Sequence, residues 1–157
     1  YEEALKDVNM ALDIDDLSSD GIIPFQDAKY RTRAMIFEET GEHGKALDDY
    51  SESLWFLYQR MKLIEEIHKD ETRNISVPEQ IRVFNDQIKS VYEGQSRSYR
   101  AIGRIEEAEE RTERVSKCED AIERIDQWDT KFSPVGDTCF TGYGEMEKRL
   151  DREKAGG

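Results

Sequence analysis

The chain has 157 residues, enough for one domain of ordinary size. Hydrophobic residues make up 36% and charged residues 38%, which is polar for one central core but suits a thin stack of helices, each burying a stripe. The formal charge of -13 repels nucleic acid and anionic lipid and favours basic partners or plain solubility, and no apolar run reaches the roughly eighteen residues of a membrane span.

Residues 1–15 carry Ala4, Leu5, Val8, Ala11 and Leu12 at helical spacing, which predicts a first helix. Ser18, Ser19, Asp20, Gly21 and Pro24 then mark a loop. A second helix is predicted over 25–40, with Gly41 closing it in a left-handed cap. The third, over 44–68, repeats Leu47, Tyr50, Leu54, Leu57, Met61 and Ile64 in steps of three and four. Such a stripe demands a helical neighbour. Residues 70–77 break it, and Ser76-Val77-Pro78-Glu79 is a start signal, with a capping serine, a first-turn proline and an early acid.

The fourth helix is predicted from there to 102, with Ile81, Phe84, Ile88 and Val91 inside, and Gly103 ends it. The fifth, over 105–127, turns Ile105, Ala108, Val115, Cys118, Ile122 and Ile125 inward. Its outer face places Glu107, Glu110 and Asp120 four residues before Arg111, Arg114 and Arg124, pairs worth about 0.2–0.5 kcal/mol each. Residues 129–157 read as an irregular tail containing Pro134, Gly136, Gly142 and Gly144, with a short helix at 145–154. Two cysteines are too few for a disulfide scaffold. Cys118 reads as a small core residue, and a bridge to Cys139 in the tail is the alternative. Asn74-Ile75-Ser76 matches a glycosylation sequon, which has meaning only in a secreted protein.

A short pattern recurs along these helices. It reads Gly41-x4-Ala46-x3-Tyr50-x2-Ser53, then Gly103-x4-Ala108-x3-Thr112-x2-Val115, with a half copy Tyr1-x2-Ala4-x3-Val8-x2-Ala11 at the start. Upstream, Ala34-x2-Phe37-x3-Gly41 matches Ser96-x2-Tyr99-x3-Gly103. This resembles the tetratricopeptide repeat, a helix-turn-helix unit of about 34 residues. The family uses small residues where its two helices approach, glycine at the turn, and aromatics between neighbouring repeats. The resemblance implies an all-α, TPR-like helical-hairpin solenoid over 1–128. Its first repeat would contribute one helix at 1–15, its second would span 25–69 and its third 79–127. The spacing departs from the family: Ala4 to Ala46 is 42 residues and Ala46 to Ala108 is 62. The second excess predicts one elongated antiparallel pair formed by the third and fourth helices, projecting beyond the stack. Opening inside a repeat, the chain reads as part of a longer protein.

The function the resemblance implies is that of an intracellular protein-protein interaction scaffold or adaptor within a larger complex, with a purely structural subunit as an alternative. No compartment follows from the sequence. Carried over position by position, the groove of the solenoid is lined by Arg31, Met35 and Glu38 in one copy and Arg97 and Arg100 in the other. Met35 and Arg97 stand where the subfamily that clamps the Hsp70/Hsp90 C-terminal peptide has asparagine, which argues against that ligand. Arg97 and Arg100 suit an acidic segment instead. Trp55, Phe56 and Tyr58 on the projecting pair form a candidate exposed patch, or else pack on the next repeat.

A second class of function is a calcium-responsive module. Asp16, Ser18, Asp20 and Asp27 fall at the first, third, fifth and twelfth positions of an EF-hand-like loop with Gly21 at the sixth, although Asp27 is short for bidentate reach. No cofactor or enzyme constellation appears: His43 and His68 lack metal-site spacing, and phosphate-cradle and nucleophile-elbow motifs are missing.

Overall fold

The computed structural model describes residues 1–17, 26–68, 77–125 and 138–156. Among them stand six helices and no strand: α1 Glu2–Leu17, α2 Gln26–Glu39, α3 His43–His68, α4 Val77–Ala101, α5 Ile105–Ile125 and α6 Tyr143–Gly156. The all-α class and the first five helices agree with expectation to within two residues at each end. The sequon and most of the loop after α1 lie outside the described residues.

The turns from α2 to α3 and from α4 to α5 are built alike. Gly41 and Gly103 both have φ of 81°. The Gly41 amide donates to Glu38 O at 3.1 Å, and Glu42 to Phe37 O at 2.8 Å. Gly103 and Arg104 donate to Arg100 O and Tyr99 O at 3.1 and 2.9 Å. Each is the paired bond that closes a helix on a left-handed residue. A Cβ at either glycine would meet nothing within 4 Å, so backbone conformation alone demands glycine. Gly41→Ala and Gly103→Ala are each expected to cost roughly 1–2 kcal/mol, and nearly the same amount, in urea titrations. A loss from one and not the other would show that the two turns are not equivalent.

Small residues sit where each hairpin closes. Ala34, Ala46 and Ala108 are wholly buried. Ser96, the counterpart of Ala34, donates its hydroxyl to Ala108 O at 2.9 Å and meets Thr112 Oγ1 at 2.8 Å. Thr112 stands where an aromatic was expected, and its hydroxyl meets Ser96 and shares the Ala108 carbonyl with it.

The core lies along α3 and α4. Trp55, Leu57, Tyr58 and Met61 pack with Phe84, Ile88, Val91 and Tyr92, all 4% exposed or less. Each such side chain contributes about 1.5–3 kcal/mol on burial. α3 has 26 residues and α2 has 14. At roughly 1.5 Å per residue, α3 therefore extends about 18 Å further than its neighbour. This overhang is not bare. Cys139 and Phe140 join its core, with Met146 and Leu150 of α6 against it. The described part of the tail thus packs on the other helices through a few side chains and is not an irregular appendage, and its helix is longer than the expected 145–154. Its apolar residues are few and separated by charges, so the sequence shows no strong stripe there. What holds it is a surface supplied by distant residues.

Candidate partner-binding surface

The groove residues lie on α2 and α4, which are neighbours in the fold. Arg97 Nε is 2.9 Å from Glu38 Oε2 and its Nη2 is 3.1 Å from Oε1. This two-pronged pair ties the helices together. Tyr50, beneath them, donates its hydroxyl to Glu38 Oε1. Burial first, and then the Glu38 carboxylate, raise the Tyr50 phenol well above its ordinary pKa, so it stays a neutral donor. The hydrogen bonds that Arg97 donates to Glu38 raise the guanidinium's pKa against the opposing effect of burial. Two of the five groove residues therefore contact each other. Met35 is 51% exposed and Arg100 is exposed, leaving both open to solvent on this face.

Arg31 sits lower, at a second ionic cluster. Asp27 is 2% exposed, with Oδ1 2.8 Å from Arg60 Nη2 and Oδ2 3.9 Å from Arg31 Nη1. Ser53 Oγ donates to the Asp27 carbonyl at 2.8 Å and fixes the start of α2 on α3. Two guanidiniums here share one carboxylate. Burial pulls Arg31 below its ordinary pKa, Asp27 opposing and Arg60 adding to the shift. For the calcium reading, Asp27 is the one proposed ligand with a described side chain, and its carboxylate faces arginines. Ser18 and Asp20 lie outside the described residues, and Asp16 is near the end of α1.

The aromatic patch is placed differently from its expectation as an exposed surface. Trp55 is 1% exposed, Tyr58 is wholly buried, and Phe56 is half-buried with its ring stacked on Tyr30 at 5.5 Å. Trp55 and Tyr58 belong to the core, and the C-terminal segment packs against them there. The Arg149 guanidinium lies 4.4 Å from the Trp55 ring centre and grips Glu52 at 3.0 and 3.1 Å. Phe140 packs on Tyr58 at 5.7 Å between ring centres. Glu147 accepts from the Tyr58 hydroxyl and pairs with Lys62 at 2.8 Å. Those contacts, Lys62 first, hold the Glu147 carboxyl below its usual range. Glu52, Trp55 and Lys62 follow one face of α3 at spacings of three and seven, a signal that could have been read as a helix seat. The sequence offers no sign that α6 fills it.

Cys118 and Cys139 are joined in a disulfide, with Cα atoms 4.9 Å apart. Cys118 is a core residue, as expected, and the bridge is the alternative that forms. Asn85, fully buried in α4, accepts from the Cys139 amide at 2.9 Å. The Thr141 amide donates to the Tyr92 hydroxyl at 3.2 Å. These two bonds satisfy backbone groups that burial would otherwise leave unpaired.

Comparison with family models, curated proteins and solved structures finds no match to this chain.

Proposed function

We propose that the chain is a tetratricopeptide-like scaffold that binds a partner protein along the α2–α4 face. In this reading α2–α3 and α4–α5 are successive repeats of a short solenoid, with α3 and α4 as its elongated antiparallel pair. The observation that carries it is the equivalence of the two glycine turns, down to the same left-handed residue and the same pair of hydrogen bonds. Repetition of one hairpin places α2 and α4 in matching positions and builds a continuous face. That face offers Met35 and Arg100 to solvent beside the Arg97–Glu38 tie, and the cluster below it has two guanidiniums to one carboxylate. An apolar residue flanked by guanidiniums suits a partner segment that carries carboxylates next to an apolar side chain.

The test is quantitative capture of partners from the native extract on immobilised full chain, followed by affinity measurement on the retained protein. Met35→Glu with Arg100→Glu is expected to lower affinity at least tenfold while leaving the thermal midpoint unchanged, because both residues are exposed. A control on the far face, Glu113→Lys, is expected to bind like the parent. Equal affinity for the double variant and the parent would rule out this face.

A further inference from the structure

The C-terminal segment is held at residues 139–141 by amide bonds to Asn85 and Tyr92 of α4 and by Phe140 on Tyr58, and by two further attachments. One is covalent, the bond between Cys118 of α5 and Cys139, just before α6. The other is the seating of α6 on α3, and it is shallow. Met146, Glu147, Arg149 and Leu150 are half-buried, while Gly144, Glu145, Lys148 and residues 151–156 are exposed. Its polar contacts to α3 include Arg149 with Glu52 and Glu147 with Lys62 and Tyr58. Exposed and half-exposed ion pairs of this sort stabilise little. A helix of 14 residues is also marginal in water by itself, so α6 keeps its form through docking. A tether that starts four residues before the helix supplies that docking with a high effective concentration. Beneath α6 and Phe140 lie Trp55 and Tyr58, 1% and 0% exposed, large aromatics of the α3–α4 core whose further contacts are to Arg149 and Phe140.

We propose that the Cys118–Cys139 bond is a redox clasp: its reduction by a dithiol lets residues 138–156 leave α3 and uncovers the Trp55–Tyr58 surface. The inference does not depend on the α2–α4 face being a binding site. Cys118 is wholly buried and Cys139 is 8% exposed, so attack falls on Cys139 Sγ once the segment opens locally. A thiolate of the dithiol bonds to that sulfur, the Sγ–Sγ bond breaks, and Cys118 leaves as a thiolate that takes up a proton. The second thiol of the reductant then attacks its own sulfur in the mixed disulfide. Cys139 is released as a thiol and the reductant closes into a cyclic disulfide. Two electrons pass from reductant to protein. In the reverse direction a disulfide oxidant re-forms the clasp and α6 returns to its seat.

The experiment uses the full chain with Trp128→Phe, so that Trp55 is the single tryptophan. Alkylation and mass measurement first count thiols in the air-oxidised and dithiothreitol-treated protein. Hydrogen exchange and acrylamide quenching of Trp55 are then compared in both states. On reduction, amide protection over 143–156 is expected to fall at least tenfold and Trp55 quenching to rise several-fold, with α2–α5 protected as before. Cys139→Ser and Cys118→Ala are each expected to show the reduced pattern without reductant and no response to it. Two free thiols in the oxidised protein would overturn the proposal. So would an α6 that stays protected after complete reduction, since the bond would then brace a segment that stands without it. Loss of protection throughout α2–α5 would equally overturn it, by making the bond a general stabiliser.

Discussion

Asp27→Ala is expected to lower the unfolding free energy by about 2–4 kcal/mol, read from urea titrations of the oxidised full chain. Asp27 is 2% exposed and its carboxylate stands between Arg60 at 2.8 Å and Arg31 at 3.9 Å, whose side chains are 19% and 20% exposed. Removing it leaves two like charges facing each other without the carboxylate that stands between them. Breaking a buried pair from one side costs about 3–5 kcal/mol, and partial solvation of the guanidiniums reduces that here. Asp27 also lies in the first turn of α2, where a negative charge favours the helix dipole by about 0.3–1 kcal/mol. Adding Arg60→Met to Asp27→Ala is expected to recover at least half the loss, because the repulsion then has one partner fewer. A change below about 0.5 kcal/mol in the single variant would mean that the cluster behaves as an exposed pair. The shape of the α2–α4 face depends on this cluster, since Arg31 and the start of α2 are positioned by it.

Gly94→Ala is expected to destabilise the fold by about 1–2 kcal/mol, although alanine is the better helix former by about 1 kcal/mol. Gly94 lies within α4, and a Cβ there would fall on the Tyr50 ring, 2.6 Å from Cε2 and closer still to Cζ and Oη. Tyr50 cannot swing aside cheaply. It is 1% exposed and its hydroxyl is bound to Glu38, which in turn holds Arg97. The added methyl therefore pushes on the contacts that join α2, α3 and α4. With Tyr50→Leu in the background, the same Gly94→Ala change is expected to become neutral or stabilising. A double-mutant cycle should give a coupling of at least about 1 kcal/mol. If Gly94→Ala alone raised stability, the close approach of Tyr50 to α4 would be wrong.

Much of the local structure was legible in the residues. Steps of three and four among Leu47, Tyr50, Leu54, Leu57 and Met61 place α3, and those at Ile81, Phe84, Ile88 and Val91 place α4. Gly41 and Gly103 mark two helix ends because a left-handed residue strongly favours glycine. Ala34, Ala46 and Ala108 were readable as close-approach points because a larger side chain would hold the helices apart. Gly94 was not readable. A glycine inside a helical pattern looks like a weakness until the residue pressed against it is known, and Tyr50 lies 44 positions away. The repeat resemblance puts Glu38 and Arg97 each in the groove, and their pairing across 59 positions has no local signal.

The C-terminal segment shows the same division. Glycine, proline and scattered charge made residues 129–157 look like a tail, and a helix was visible only as a short stretch. Its place on α3 is set by Phe140 against Tyr58, Arg149 against Trp55 and Cys139 against Cys118, all contacts between residues far apart in the chain. By itself the sequence determined the helices, their ends and the small residues at their crossings, because periodicity and backbone conformation act over a few neighbouring positions. Only the tertiary structure decided which charges meet, which aromatics are covered and which cysteine finds a partner. Those outcomes depend on distances between surfaces that no local pattern encodes.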